Sequence, residues 1–350
     1  MFENIIGQER VTKELEKALK TNTLPGAILF SGEHYSGKVS TALELARSLS
    51  CKGDKSWNCS CKNCESHRNM LYPYLQIIGP GNFIDEINIC ADIVKNGQPV
   101  YARYMFIRSV RKLLKRFDPV LWEGTENKYK QVASNAVKAE ELLREISVNS
   151  DDIQDSVKFV KKVDKIVSEC SKVADSIAND KIPIDQIRKI SSWAHSATDS
   201  VKIIIIENAD AMGESSRNSL LKILEEPPSS CYFILTTSRK GAIIPTILSR
   251  VRIFNFPERT QADSAEVINR IFREDSGSFR SIREYFLGRK TDYETIKKLS
   301  EVFVSAIKEN SKSGKILNID MIADFKPVYS SKTDFVMFIE NCMESFRDDV

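Results

Sequence analysis

The stretch AILFSGEHYSGKVS at residues 27–40 begins with an apolar run and continues into a glycine loop. The loop residues are Gly32, Gly37 and Lys38, with four residues between the two glycines. This spacing, between a predicted strand and a predicted helix, is that of a phosphate-binding loop, whose backbone N–H groups bind phosphates at a helix N-terminus. The next position normally supplies a Ser or Thr hydroxyl to Mg²⁺, but here it is Val39. We therefore expect weak or no binding of ATP or ADP.

A second stretch, VKIIIIENAD at residues 201–210, indicates the carboxyl end of another strand. Its apolar, β-branched run is typical of a parallel strand that is buried on both faces. Phosphoryl-transfer proteins of this type place an Asp-Glu pair at this strand end, whereas this chain has Glu207 and Asn208. Glu207 is a candidate neighbour of a metal ion. The amide of Asn208 cannot accept a proton as a general base, so we predict that the chain does not hydrolyse ATP.

The alternation of strands and helices predicts an α/β fold with a doubly wound parallel sheet flanked by helices. The predicted strands are residues 27–30, 75–78, 201–206, 232–236 and 253–256. Between residues 80 and 180 glycine nearly disappears and long helical periodicities take over, which indicates an insertion. We therefore expect an α/β domain at 1–79 and 181–256, a helical insertion at 80–180, and helical parts at 257–300 and 301–350.

Composition excludes several classes of protein. With 350 residues, 42% hydrophobic and 28% charged, the chain is long enough for about two to three globular domains. Its apolar runs are far shorter than the roughly 20 residues of a membrane-spanning helix, and its N-terminus is amphipathic and carries acidic residues, unlike a signal peptide. We expect no membrane association and a cytoplasmic location. The net charge of +3 gives no global argument for nucleic-acid binding.

One segment of the insertion, at residues 102–116, is locally basic. It carries six Lys or Arg side chains interleaved with aromatic residues and leucines. Such a helix is able to contact DNA phosphates. The commoner arrangement is an apolar stripe that faces the core and a basic face in solvent.

Four of the eight cysteines lie within fourteen residues, and the other four are scattered. The clustered residues are Cys51, Cys59, Cys61 and Cys64. In a reducing compartment such clustering favours a metal site over disulfides. A Zn²⁺ ion closed by four protein ligands would be structural and would stabilise a module too small for its own core. Reduced free thiols are the alternative.

Further motifs are shared with a known family. They are FENIIGQERV at 2–11, LPGAILFSG at 24–32, PIDQIRKI at 183–190, ENADAMGESSRNSLLKILEEPPSSCYFILTTS at 207–238 and IIPTILSRVRIF at 243–254. They resemble the AAA+ subunits of bacterial DNA polymerase III clamp loaders, which open and load the sliding clamp. The resemblance covers about residues 1–79 and 181–290. It is strongest to the delta-prime type of subunit, which is similar to its ATPase neighbours but does not hydrolyse ATP.

This resemblance implies a catalytic role for Ser249 and Arg250. In the family a Ser-Arg-Cys triplet presents an arginine finger to ATP on the adjacent subunit, and this chain has Val251 at the third position. The chemistry suits arginine, because a planar guanidinium supplied in trans stabilises the charge that spreads over the γ-phosphoryl oxygens.

The resemblance also implies the members of a degenerate nucleotide site. Thr236 or Thr237 falls where the family senses the γ-phosphate. Arg280, which ends GSFR at residues 277–280, falls where a lid arginine reaches the nucleotide, or else it forms an ion pair. The predicted nucleotide site therefore comprises Gly32, Gly37, Lys38, Glu207, Thr236, Thr237 and Arg280.

The family carries a four-cysteine zinc module at about residues 51–67, usually with two residues between its second and third cysteines. This chain has only Ser60 there, which tightens the chelate ring and makes His67 an alternative ligand. The resemblance further identifies 257–300 as a lid and 301–350 as a collar segment that is truncated or shortened. The implied partners are the gamma/tau ATPases, the delta subunit, the sliding clamp and, through the assembled complex, primer–template DNA.

Two other functions stay open. The first is that of an active gamma/tau-type ATPase of the same machine, which predicts ATP turnover that Lys38→Ala abolishes. The second is that of a stand-alone zinc-dependent nucleic-acid-binding protein. The second predicts salt-sensitive DNA affinity without a partner.

Overall fold

The computed structural model describes residues 1–80, 83–96, 100–122, 126–146, 156–177, 181–275, 279–289, 293–313, 325–329 and 332–347. The chain forms two compact units, Met1–Asp275 and Ser276–Val350. The domain boundaries expected from the sequence stay predictions.

A parallel sheet of five strands is the centre of the first unit. The strands are β1 (Ala27–Gly32), β2 (Leu75–Ile78), β3 (Lys202–Ile206), β4 (Cys231–Thr237) and β5 (Arg252–Phe256). Their order across the sheet is β2-β3-β4-β1-β5, and every neighbouring pair is parallel. This confirms the predicted doubly wound sheet. Because all strands are parallel, their carboxyl ends meet at one edge, beside the glycine loop that follows β1.

The helices of the first unit include those that cover the two faces of the sheet and those of the insertion. They are α1 (Glu9–Lys20), α2 (Lys38–Ser50), α3 (Lys62–Arg68), α4 (Phe83–Lys95), α5 (Val100–Leu114), α6 (Pro119–Trp122), α7 (Glu126–Arg144), α8 (Ser156–Ile177), α9 (Ile184–His195), α10 (Glu214–Glu225), α11 (Pro245–Leu248) and α12 (Gln261–Val267). The second unit contains α13 (Ile282–Gly288), α14 (Tyr293–Ser313) and α15 (Lys332–Arg347). Among the described helices, none combines the length and the apolarity needed to span a bilayer.

Alternation along the strands builds two apolar layers, one on each face of the sheet. Successive strand side chains point to opposite faces, so Ile203 and Ile205 of β3 pack with α1 and α2. Ile204 and Ile206 pack with α9 and α10. The run of isoleucines is fully buried, which is the reason it reads as continuously apolar in the sequence.

The basic segment of the insertion forms α5 and the 3₁₀ turn after it. Its apolar stripe is buried, but the expected solvated basic face is wrong, because all six cations have partners within the chain. Arg103 lies over the Phe159 ring, Arg108 donates to the Arg68 carbonyl, Arg111 pairs with Glu140, Lys112 with Glu86, Lys115 donates to the Tyr72 carbonyl, and Arg116 pairs with Glu207. Arg108, Lys115 and Arg116 fasten the insertion to the α/β domain through these contacts. The partners named for the other three cations lie within the insertion itself.

Candidate nucleotide and metal sites

The side chain of Lys38 is hydrogen-bonded to the backbone of its own glycine loop. Gly37 begins α2 with φ of 93°, a conformation that favours glycine. The Lys38 Nζ donates to the Gly32 carbonyl at 2.7 Å, to the Glu33 carbonyl at 2.5 Å and to Ser36 Oγ at 3.3 Å. Burial lowers the pKa of Lys38 to about 8, against the opposing effect of nearby carboxylates. The lysine that would hold phosphates in a working loop is thus hydrogen-bonded to that loop.

No hydroxyl replaces the missing metal ligand at this loop. Val39 packs into the apolar layer beneath α1 and α2. Ser40, one residue further on, is exposed. The Thr41 hydroxyl donates back to the Gly37 carbonyl at 2.9 Å. Of these three residues only Ser40 presents an exposed hydroxyl, and it lies one residue, about 100° of helix rotation, from the position of the usual Mg²⁺ ligand.

Arg259, which lies after β5, contacts the glycine loop and was not predicted from the sequence. Its Nε donates to the Ile6 carbonyl at 3.0 Å, and its NH1 donates to the Tyr35 carbonyl within the loop. A Cβ added at Gly37 would lie only 2.5 Å from the Arg259 NH2, so the guanidinium occupies the space that glycine leaves. Its position three residues beyond β5 was the available signal, since ligands bind at the carboxyl ends of parallel strands.

Glu207, at the end of β3, is already paired. Arg116 of the insertion donates to its Oε2, and the arginine side chain is 3% exposed. The same guanidinium lies 3.8 Å from the centroid of the Phe83 ring. Asn208 has φ of 50° and donates from Nδ2 to the Pro80 carbonyl at 2.8 Å. Both strand-end side chains are therefore engaged within the chain, through Glu207 Oε2 and Asn208 Nδ2.

The two threonines at the end of β4 are buried and hydrogen-bonded. Thr236 Oγ1 accepts from the Asn208 N–H at 3.2 Å. Thr237 Oγ1 donates to Asp210 Oδ1 at 2.8 Å, and Asp210 pairs with Arg239 at 2.8 Å. Thr236 is therefore brought beside the β3 end, as a γ-phosphate sensor would need, while Thr237 holds an acidic side chain.

Arg250 lies at the opposite edge of the sheet from the chain's own glycine loop. It precedes the first residue of β5, whereas Gly32 pairs with Phe256 at the last. From Arg252, the first residue of β5, to Phe256, the last, there are four steps along the strand, roughly 13 Å at about 3.3 Å per residue, and Arg250 lies two residues before Arg252. The Arg250 Nε donates to Glu225 Oε1 at 2.9 Å and its NH1 to the Thr246 carbonyl at 2.7 Å, with 29% of the side chain exposed. Ser249 Oγ donates to the same carbonyl at 3.0 Å and accepts from Arg250 NH1 at 3.3 Å.

Arg280 belongs to the second unit. Its backbone N–H donates to Glu284 Oε2 at 2.7 Å, and the residue is exposed. Gly277 and Ser278 of the same motif lie outside the described residues. Its predicted nucleotide contact stays a prediction.

The four clustered cysteines converge on one point. Their sulfur atoms all lie within 4.8 Å of one another, and Cys51 Sγ is 3.6 Å from Cys59 Sγ and 3.9 Å from Cys61 Sγ. A tetrahedral Zn²⁺ with Zn–S bonds of about 2.3 Å places its sulfurs about 3.8 Å apart. The donor set therefore fits zinc, although only one residue separates the second and third cysteines.

His67 is not a member of this cluster. Its ring stacks on Tyr72 with centroids 4.2 Å apart. Burial lowers its pKa to about 3, so the imidazole is neutral. The cluster that the structure forms from its described residues is the four-cysteine set alone.

The known proteins to which this chain is similar include subunits of DNA polymerase III. The family model described as "DNA polymerase III, delta subunit" matches residues 7–260. The tau subunit of DNA polymerase III from Bacillus subtilis is 26% identical over 273 residues, which cover 77% of this chain and 31% of that protein. A delta-prime subunit from Haemophilus influenzae is 33% identical over 76 residues, 21% of this chain and 23% of that protein. With the parallel sheet, the family match confirms the predicted AAA+ α/β fold.

A solved gamma subunit-related protein of DNA polymerase III from Thermotoga maritima is also similar. It is 19% identical, covers 48% of this chain and 65% of its own, and has a TM-score of 0.28. The chain spans about a third or less of the length of the tau and delta-prime relatives it matches.

Proposed function

The chain belongs to the DNA polymerase III clamp-loader family whose model is described as "DNA polymerase III, delta subunit", and on this premise we propose that it is a delta-prime-type subunit. In this role it presents Arg250 to ATP bound on an adjacent ATPase subunit during sliding-clamp loading in DNA replication, and it does not hydrolyse ATP itself. The observation that carries the proposal is the placement of Arg250 at the sheet edge away from the chain's own loop. An arginine there is far from the chain's own loop, so a nucleotide that it contacts would be held by another subunit.

The chain's own nucleotide site supports the inactive half of this proposal. Lys38 is hydrogen-bonded within its loop, Glu207 is neutralised by Arg116, and Asn208 replaces the general base. Each of three steps, phosphate binding, metal binding and proton removal, thus lacks its usual side chain in a usable state. Weak or absent binding of ATP or ADP follows.

Purified alone with saturating ATP and Mg²⁺, the chain is expected to show no phosphate release above background. Lys38→Ala should leave that background unchanged, because there is no catalysed step for the lysine to support. A colorimetric phosphate assay with a gamma/tau-type ATPase as positive control makes the measurement. Turnover that Lys38→Ala abolishes would instead identify an active gamma/tau-type ATPase.

Partner binding by the second unit is the other part of the proposal. Helix α15 exposes apolar side chains at a spacing of three or four residues, which is one face of a helix. They are Phe335, Val336, Ile339, Met343 and Phe346, between 39% and 51% exposed. We assign this face, called the α15 stripe, to contact with other clamp-loader subunits, among them gamma/tau and delta. Contact with the clamp and with primer–template DNA would come through that assembly, in the cytoplasm.

Ile339→Ser combined with Met343→Ser is expected to weaken assembly at least tenfold without unfolding the chain. Burying one such side chain contributes about 1.5–3 kcal/mol, and about 1.4 kcal/mol is a factor of ten in affinity. Sedimentation of the chain with gamma/tau and delta measures the effect. Val137→Ser, at a valine of α7 that is 54% exposed, is the matched control. Unchanged assembly in the double variant would remove the α15 stripe from the interface.

The four-cysteine cluster is proposed to hold a structural Zn²⁺. Cys51 caps the C-terminus of α2, and Cys61 precedes α3 as its N-cap. Bound zinc would supply a cross-link between these two helices and the loop between them. The thiolates of Cys51, Cys59, Cys61 and Cys64 would be its ligands.

A further inference from the structure

The guanidinium of Arg47 lies beside one of the four clustered sulfurs. Arg47 is only 2% exposed, and its NH1 donates to Cys64 Sγ at 3.0 Å. Its Nε and NH2 donate to Glu44 Oε1 at 2.8 and 2.5 Å, and NH2 also reaches the Lys55 carbonyl at 3.1 Å. A charge this deeply buried is costly unless it is paired and hydrogen-bonded. The Nε and NH2 groups of the guanidinium are therefore hydrogen-bonded to the Glu44 carboxylate, and NH1 is hydrogen-bonded to the Cys64 sulfur.

Charge explains why a cation would be placed here. Four thiolates around one divalent zinc carry a net charge of about −2, and Cys64 is fully buried. Glu44, the carboxylate that pairs with Arg47, is also negative. Backbone donors also reach the cluster, among them the Gly53 N–H, which donates to Cys51 Sγ at 3.3 Å. Donors to metal-bound ligands orient them and tune the site.

We propose that Arg47 is a positioning residue of the metal site, which holds Cys64 in its ligating orientation and offsets part of the negative charge of the tetrathiolate. This inference rests on the proposed zinc site. The competing explanation is an ordinary buried ion pair with Glu44 that happens to touch sulfur. The two differ in whether the properties of the bound metal depend on the guanidinium.

The test replaces the ion pair as a unit, with Glu44→Leu and Arg47→Met together, so that no buried carboxylate is left unpaired. Replacing a buried pair by apolar residues of similar size is often neutral for stability, and circular dichroism checks the fold. We expect the variant to bind Zn²⁺ about 10–100-fold more weakly in a chelator competition, as is usual for partners of metal ligands. With Co²⁺ as the probe, we expect the sulfur-to-metal charge-transfer band to move to lower energy.

Two further variants sharpen the result. Arg47→Lys keeps the charge and should recover part of the affinity. Arg68→Met is the matched control, because Arg68 donates to the carbonyls of Trp57 and of Cys59, the latter at 2.7 Å, within the same module. It should leave the Co²⁺ band unchanged.

Equal zinc affinity and an unshifted Co²⁺ band in the double variant would overturn the role of Arg47 alone. A wild-type chain that takes up neither Zn²⁺ nor Co²⁺ would overturn the metal site and this inference with it. Neither result bears on Arg250, whose test is hydrolysis by a neighbouring subunit.

Discussion

Arg250→Ala is expected to slow ATP hydrolysis by the adjacent ATPase subunit about 10³-fold, the lower end of the range for an arginine supplied in trans. The guanidinium would stabilise negative charge on the γ-phosphoryl oxygens as the bond to the leaving oxygen breaks, and alanine removes it. The measurement is DNA-stimulated phosphate release by the reconstituted complex. In that complex the other ATPase sites are inactivated, so that only the site next to this chain hydrolyses ATP and the other sites do not mask the loss of rate.

The ion pair with Glu225 does not prevent this role. It joins side chains that are 29% and 48% exposed, and pairs in that setting contribute about 0.2–1 kcal/mol. A 10³-fold effect corresponds to about 4 kcal/mol in the transition state. The guanidinium is therefore able to leave Glu225 for a triphosphate. The pair orders Arg250 while no neighbour is bound.

Two variants separate the finger from a general loss of positive charge. Arg250→Lys keeps the charge but loses the planar fork of donors, so a rate between those of wild type and alanine is expected. Arg252→Ala removes a nearby arginine that pairs with Glu14 at 2.8 Å, and its rate should match wild type. Equal rates for Arg250 and Arg250→Ala would remove the finger assignment.

The sequence predicted those parts of the fold that depend on local patterns. The apolar runs in β1, β3 and β4 identified strands, and the β-branched run of β3 identified a strand buried on both faces, because a parallel strand that is covered on both faces is apolar throughout. The glycine spacing located the loop between β1 and α2. The clustering of Cys51, Cys59, Cys61 and Cys64 in the sequence predicted that these four side chains come together, and their sulfur atoms do lie within 4.8 Å of one another despite the unusual spacing.

Contacts between segments that are distant in the sequence could not be predicted from it. Arg259 contacts a loop more than 200 residues earlier, and Arg116 contacts Glu207 across 91 residues. No local periodicity encodes how an insertion docks on a sheet. The same limit explains the misassigned basic face of α5. Spacing shows that its cations share a surface, but not that this surface meets carboxylates and carbonyl oxygens instead of water.

Arg116→Met is expected to destabilise the chain by about 3–5 kcal/mol, the usual cost of removing one partner of a buried ion pair. Methionine keeps the packing on Phe83 but leaves the Glu207 carboxylate, with 14% of its side chain exposed, without its cation. Urea unfolding measures the change. Arg111→Met is the matched control on the same basic segment. Its pair with Glu140 is 14% and 23% exposed, against 3% and 14% for Arg116 and Glu207, so a smaller loss of stability than for Arg116→Met is expected.

Glu207→Gln combined with Arg116→Met separates pairing from packing. Coupled partners give a double variant that costs less than the sum of the single changes, by up to about 3 kcal/mol. Strictly additive costs would mean that the contact contributes little and that Glu207 is available to other ligands. Coupling of the expected size has a chemical consequence. A carboxylate that must give up an internal guanidinium before it can meet Mg²⁺ binds the metal weakly, so the insertion itself would help to keep this subunit from hydrolysing ATP.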